Sequence, residues 1–406
     1  MRELLVESFR AAVAAADPLH ILPAHLPPAP RGRVFVAAAG KAAASMALAA
    51  EKHFSSAHFP GALEGIAITR YGHGLPTQRI RVVEAGHPVP DAAGEVAAME
   101  ILSKVKQLGS DDLLLALLSG GGSSLLALPI EGLGMAELKQ LTAQLLRCGA
   151  TIQEINTVRK HLSAIQGGRL AAACRAPVLA LIISDVTGDD PTHIASGPCT
   201  PDPTTIGDAK AVLAKYGIDF RGPFSESPKP GDRVFSGTTN SVIATAYRSL
   251  EAAAEVFRRQ GIAPVILGDT ITGEAREVAK DMARLARRAP RPAALISGGE
   301  CTVTVRSEGG RGGRCAEFLL ALALELEGVD NAWGIAADTD GIDGSEDNAG
   351  ALMAPDSLQR ACRMNISGKA LLERNDSYGF FSALGDLVVT GPTRTNVNDY
   401  RAILLA

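Results

Sequence analysis

The sequence predicts an α/β protein of two domains whose sheets are mostly parallel. Short apolar runs alternate with amphipathic segments along the whole chain, several runs are apolar without interruption, and glycine-rich turns follow them. Alternating strands and helices argue for parallel sheets. A strand covered on both faces also loses the polar residues that a half-exposed strand would show. The length of 406 residues fits two domains at roughly 100–200 residues each.

In chain order, Arg33–Ala39 (RVFVAAA) reads as a buried strand, Gly40 as its turn and Lys41–Phe54 as a helix. Leu113–Leu118 reads as a strand running into Ser119–Ser124 (SGGGSS), and Val178–Ser184 as a strand running into Asp185–Asp190. In the second half the strand candidates are Pro264–Leu267, Ala293–Ser297, Cys301–Arg306, Ala332–Ala337 and Leu387–Val389. Helices are expected over Ala92–Lys106, Met135–Arg147, Glu154–Ala173, Ser241–Gln260, Glu274–Arg288 and Cys315–Leu326. Arg221–Asp232 (RGPFSESPKPGD), dense in Pro, Gly and Ser, is the best boundary, dividing the chain into residues 1–228 and 231–406. Ligands of such sheets bind beyond the carboxyl ends of the strands.

Composition excludes several classes. Forty Lys and Arg against forty-four Asp and Glu give a net charge of −4, so no basic field awaits nucleic acid. The longest apolar runs are far shorter than the about 20 residues needed to span a bilayer, and Glu3 and Glu7 interrupt any signal-peptide core. A cytoplasmic protein, monomeric or homodimeric, is expected. The six cysteines form no C-x-x-C pair, and none of the eight histidines is spaced as a ligand pair.

The loops carry the chemistry. Ser119-Gly120-Gly121-Gly122-Ser123 allows backbone N–H groups to converge on a phosphate or carboxylate, with two hydroxyls as further donors. The structural alternative is a tight turn needing positive φ. Gly40-Lys41 is no Walker A loop, because Phe35 stands at its first position and Ala42 after the lysine. The dinucleotide fingerprint G-x-G-x-x-G also fails, ending in Thr77, Leu125 or Cys315 at its three candidate places. Gly309–Arg314 (GGRGGR) sets two arginines before a helix, in a form suited to anions.

Two carboxylate clusters, Asp185/Asp189/Asp190 and Asp338/Asp340/Asp343, suit Mg²⁺ or a general base, or else close loops as Asx turns. Asn156, Arg159, Lys160 and Ser163 form a polar helical stripe, which a solvated face would equally explain. Thr390–Asp399 (TGPTRTNVND) reads as an ordinary turn, a lid or an anion contact.

Taken together, these strings resemble the glycerate 2-kinase family. Gly40-Lys41, Gly86–Asp91 (GHPVPD), SGGGS, NTVRKHLS and Ser184–Pro198 (SDVTGDDPTHIASGP) resemble its first domain. Gly298-Gly299-Glu300, Gly312-Gly313-Arg314, Asp338–Gly344 and GPTRTNVND resemble its C-terminal MOFRL domain, at about residues 292–404. The resemblance implies a Rossmann-like first domain, a smaller second one, a cleft between them that closes over the substrates, and phosphorylation of D-glycerate to 2-phosphoglycerate by ATP with Mg²⁺.

The family's lysine and arginine thought to be catalytic match Lys41 and Arg314; Asp189 is the expected third catalytic group. Expected at substrate or phosphate are Ser119–Ser123, Asn156, Arg159, Lys160, Glu300, Thr393 and Asn396; expected at the metal are Asp185, Asp338, Asp340 and Asp343. Lys41→Ala and Arg314→Ala are each expected to abolish turnover without unfolding the chain. After GGR the family has Asn-Gln-Glu, whereas this chain has Cys315-Ala316-Glu317. That removes two amides expected near ligand and widens the expected substrates to hydroxy acids related to glycerate. Family members often carry the name hydroxypyruvate reductase. An NAD(P)H-dependent reductase is therefore the alternative, one the missing fingerprint does not support, and a non-catalytic small-acid sensor is the third possibility.

Overall fold

The apolar runs of the first half become strands buried from end to end: β1 (Val34–Ala39) and β4 (Leu113–Leu118) are buried at all six positions. The structure is a computed structural model describing residues 1–56, 61–307 and 309–406. It divides into two units, Pro18–Ile243 and Met1–Asp17 with Ala244–Ala406.

The first unit is built on β1, β2 (Leu63–Arg70), β3 (Ile80–Ala85), β4, β5 (Val178–Ile183) and β6 (Thr238–Ala244), in the order β3-β2-β1-β4-β5-β6. Strand β1 runs parallel to both β2 and β4, and the pairs β2/β3 and β4/β5 are parallel too. The chain therefore builds outward from β1 on one side, then returns to build on the other. The order reverses between β1 and β4, which is where a doubly wound sheet opens a crevice.

The second unit follows a different rule. Its strands are β7 (Ala263–Gly268), β8 (Gly273–Glu274), β9 (Ala293–Ser297), β10 (Cys301–Thr302), β11 (Ala332–Asp338), β12 (Gly350–Met353), β13 (Leu387–Val388) and β14 (Asp399–Leu405). The main sheet has the order β13-β12-β11-β14-β9-β7, and β8 pairs with β10 apart from it. Only β7/β9 is parallel in that sheet, and the other four pairs are antiparallel. The expectation of mostly parallel strands thus holds for the first sheet and is corrected for the second. The loop after Asp338 turns straight back into β12, and β14 runs back between β11 and β9, so those pairings need no crossover helix.

Two boundaries also differ from the sequence reading. Helix Arg2–Ala14 joins the second unit because Leu5, Phe9 and Ala12 pack with Leu250, Phe257 and Tyr400. The buried Tyr400 hydroxyl completes that contact at 2.8 Å from Ser8 Oγ. The segment Arg221–Asp232 lies inside the first unit, where Ser227 Oγ donates to Asp202 Oδ2 at 2.9 Å and Glu226 Oε2 accepts from the Ile206 N–H at 3.2 Å.

Several elements are shorter than expected. The helix expected from Ser241 starts at Ala246, after β6 and a Thr245 N-cap. The helix expected over Glu154–Ala173 splits into Ile152–His161 and Arg169–Ala172, with Gly167 and Gly168 at positive φ between them. The strand expected over Cys301–Arg306 is only β10. No helix among the described residues is long and apolar enough to cross a membrane.

Candidate active site

In the first unit, the loops after β1 and β4 meet at the reversal of strand order. Gly40 has φ +130, and a Cβ there would lie 2.2 Å from Ser119 Oγ, so this approach requires glycine. The Ser119 hydroxyl accepts from the Ala42 N–H at 3.0 Å, and the Lys41 N–H donates to Gly120 O at 2.8 Å. Ser119 is fully buried. It therefore builds the loop and is not positioned as a ligand donor, contrary to the sequence expectation.

Gly121 has φ +81, and a Cβ on it would sit 2.9 Å from His87 Nε2 and 3.4 Å from Lys41 Cγ. Lys41, His87 and the glycine loop are thus neighbours. His87 belongs to the GHPVPD string, to which the sequence reading gave no role.

A second feature supports this loop. Ala195, Ser196 and Gly197 have φ of +51, +58 and +59, three successive left-handed residues of which two carry side chains. Such backbone costs of order 1–3 kcal/mol per residue and persists only where its surroundings over-determine it. Here the Ser196 hydroxyl lies 2.8 Å from Ser123 Oγ and 3.1 Å from Asn156 Oδ1. Asn156 Oδ1 also accepts from Arg159 Nη1 at 2.9 Å. A Cβ on Gly122 would be 2.5 Å from Ala195 Cβ, so the turn packs directly against the glycine loop. The structure therefore brings Ser123, Asn156 and Arg159 together through Ser196, a residue sequence reasoning missed. Burial lowers the Arg159 guanidinium to about 10, which leaves it cationic at neutral pH.

Lys160 is corrected. Its ammonium is buried and 2.6 Å from the buried Asp202 carboxylate, so it braces the unit instead of facing ligand. Of the other members of the helical stripe, Asn156 and Ser163 are buried and Arg159 is half-buried, so the stripe is not a solvated face. Asp189 has φ +54 and is half-buried in the turn after β5, and Asp185 is half-buried too. Asp190 closes that turn by accepting from the Thr192 N–H at 2.9 Å.

In the second unit, Asp338 and Asp399 are register partners on β11 and β14. Arg314, at the start of helix Arg314–Glu325, holds both: Nη2 is 2.8 Å from Asp338 and Nε 2.8 Å from Asp399, while Nη1 is 2.9 Å from Glu300. Three of its five N–H donors thus meet carboxylates, and these hold its pKa well above the ordinary arginine value against the opposing effect of burial. Asp399 was read only as the end of a polar loop.

Asp343 is corrected as a metal ligand. Its two oxygens accept from the N–H groups of Cys315 and Ala316 at 2.9 and 2.8 Å, which satisfies the helix N-terminus. Asp338 Oδ1 accepts from the Asp340 N–H at 3.0 Å and Asp340 Oδ1 from the Ile342 N–H at 2.9 Å, so Asx chemistry closes this loop. Among the described residues no three His, Cys, Asp or Glu side chains cluster as a metal site.

The Thr393 hydroxyl donates to Thr339 O and its N–H donates to Asp340 O, and the buried Asn396 accepts from the Asn398 N–H at 3.3 Å. Both thereby order the loop before β14. Cys315 and Ala316 lie within the apolar core, so these two positions do not point at ligand. Beside Arg314 lies a pocket of about 300 Å³, lined in part by Cys301, Glu317 and Asn375. Glu317 is tied to Arg276 at 2.6 Å and to Asn375 at 3.1 Å, and burial raises its pKa.

Comparisons with known proteins converge on one family. Residues 4–225 match a domain family described as of unknown function, DUF4147, and residues 293–399 match the MOFRL family. A protein of Agrobacterium vitis with the provisional name hydroxypyruvate reductase is 50% identical, over 100% of this chain and 94% of its own. The glycerate 2-kinase of Pyrococcus horikoshii is 38% identical over 91% of this chain and 86% of its own. The crystal structure of a glycerate kinase from Thermotoga maritima superposes with a TM-score of 0.87 at 36% identity, covering 100% of this chain and 99% of that one.

Two outcomes follow from this geometry. Removing Arg314 takes away the cation held between the buried Asp338 and Asp399 carboxylates, so Arg314→Ala lowers stability by about 3–5 kcal/mol in urea unfolding. The expectation that this variant loses turnover with its fold untouched is thereby revised; unchanged stability would contradict the bracing role.

Burial lifts the Asp343 carboxyl to about 7, from about 4 in the unfolded chain. The folded state then binds that proton more tightly, so stability falls as pH rises from about 4 to about 7 and levels off above. Asp343→Asn removes this slope when unfolding is followed across that range. An unaltered slope would assign it to other groups.

Proposed function

The chain belongs to the glycerate kinase family, its second half carrying a MOFRL domain, and on that premise we propose that it transfers the γ-phosphoryl group of ATP to the 2-hydroxyl of D-glycerate. The observation that carries the reading is the meeting of Lys41 with the glycine loop at the reversal of strand order. An anion is bound there by backbone N–H groups and a fixed cation, as phosphates are in other doubly wound sheets.

Phosphoryl transfer asks chiefly for positioning and neutralisation of charge. The 2-hydroxyl oxygen forms a bond to Pγ as the bond from Pγ to the bridging oxygen breaks, releasing ADP. The hydroxyl proton passes to a carboxylate, a role we assign to Asp189. Lys41 is assigned to the transferred phosphoryl group, and Arg314 to the charge that builds on it. Gly120–Gly122 and Ser123 would hold the donor phosphates, and Asn156 and Arg159 an anionic part of substrate or nucleotide. Glu300 fits a positioning role through Arg314.

Mg²⁺ needs only one or two carboxylates beside phosphate and water oxygens. Asp340 or Asp185 is assigned as such a donor; Asp338, held by Arg314 and the Asp340 N–H, and Asp343, spent on two backbone N–H groups, do not fit. Bound there, the ion would neutralise phosphate charge.

The reductase reading is favoured by the names of relatives at 50% and 47% identity, and opposed by the absent dinucleotide fingerprint. One paired assay separates the two. D-Glycerate with ATP and Mg²⁺ yields 2-phosphoglycerate, identified by phosphorus NMR, while hydroxypyruvate with NADH or NADPH gives no nicotinamide oxidation. Lys41→Ala lowers kcat by at least about 10²-fold, the scale of a lost electrostatic contact in the transition state, with an unchanged circular dichroism spectrum. Nicotinamide oxidation without phosphoryl transfer would overturn the kinase reading.

A further inference from the structure

The first unit holds a recess of about 120 Å³ whose apolar lining has no part in the reaction as described. Val89 lines it together with Ala143 and Leu146 of helix Met135–Arg147. Val89 and Leu146 are each 61% exposed, so large apolar side chains stand in solvent around a concavity. Four polar residues share the lining: Ser123, Lys139, Thr142, whose hydroxyl donates to Leu138 O, and Arg159. An apolar hollow edged by two cations suits a ligand that is both ring-like and anionic.

Continuity narrows the choice. Ser123 belongs both to the recess and to the first turn after the glycine loop, where its hydroxyl meets Ser196 at 2.8 Å. Arg159 also lines the recess, and its guanidinium is fixed by Asn156 Oδ1 at 2.9 Å. A ligand with its phosphates on the loop would therefore reach the recess with its next group. D-Glycerate and phosphate have no apolar part to bury. The base of a nucleoside triphosphate does.

We propose that this recess receives the purine base of the phosphoryl donor, with the triphosphate running past Ser123 onto the glycine loop. The assignment rests on the kinase reading. It makes Val89, Ala143 and Leu146 determinants of donor affinity and leaves the acceptor untouched.

The test uses the full chain and two substitutions at exposed positions of one helix. Ala143→Trp fills the recess, and Leu146→Glu sets a negative charge at its edge. Each raises KM for ATP about tenfold or more, equivalent to about 1.4 kcal/mol, while KM for D-glycerate and the circular dichroism spectrum hold. Saturation-transfer NMR supplies a readout independent of turnover: irradiating protein methyl protons attenuates H2 and H8 of ATP in the wild type, and Ala143→Trp abolishes the effect.

Unchanged KM for ATP in both variants of an active enzyme would overturn the recess assignment alone. Self-association lost in Leu146→Glu, with KM for ATP unchanged, would make a second copy of the chain the occupant and equally overturn it. A wild-type chain that transfers no phosphoryl group, yet shows methyl saturation transfer to ATP that Ala143→Trp removes, would uphold the recess and sink the kinase reading.

Discussion

The approach of the β1 loop to the β4 loop is the constraint on which the first unit's site depends. Gly40 leaves room for the Ser119 hydroxyl where any side chain would collide with it. That hydroxyl and the Gly120 carbonyl take up the N–H groups of Ala42 and Lys41. The lysine is thereby set beside Gly121, and the left-handed turn at Ala195–Gly197 presses on Gly122 from another part of the chain. Backbone strain at that turn is offset by the Ser196 hydroxyl, which ties Ser123 to Asn156 and so to Arg159. One buried serine thus links the glycine loop to the nearby guanidinium.

The second unit solves a different problem. Strand β11 ends and its neighbour β14 begins in a buried carboxylate, Asp338 and Asp399, whose mutual repulsion would be costly without a cation between them. Arg314 supplies it from a helix start, and Asp343 satisfies the next two N–H groups of the same helix. The arginine therefore holds the β11 and β14 ends together whatever chemistry it performs. Its contact with the more exposed Glu300 is the member of the set that can be exchanged at least cost.

Much of this was legible in the sequence, for physical reasons that can be named. Continuous apolar runs announced β1, β4 and β5 because strands covered on both faces need them. Glycines after those strands announced the loops. Periodicity did not reveal that Lys160 would be spent on Asp202, forty-two residues away, because a helical stripe looks the same against solvent or a buried carboxylate. Nor did it reveal β14: Asp399 and Arg401 open that strand with charges, and both are buried only because Arg314 and the Gly298 carbonyl await them. Ser196 escaped notice since a left-handed serine leaves no trace in composition. The replacement of Asn-Gln by Cys315-Ala316 drew attention to side chains that face the core, whereas their backbone N–H groups hold Asp343.

The loop pair of the first unit is the element assigned to carry the triphosphate. Calorimetric titration of a non-hydrolysable ATP analogue into wild type and Gly40→Ala tests it, with Trp333, the chain's single tryptophan, reporting the second unit by its fluorescence. Because an alanine at position 40 meets both positive φ and the Ser119 hydroxyl, affinity is predicted to fall by about tenfold or more while the Trp333 emission stays unchanged. Equal affinity in the two proteins would contradict the account and move the nucleotide phosphates elsewhere.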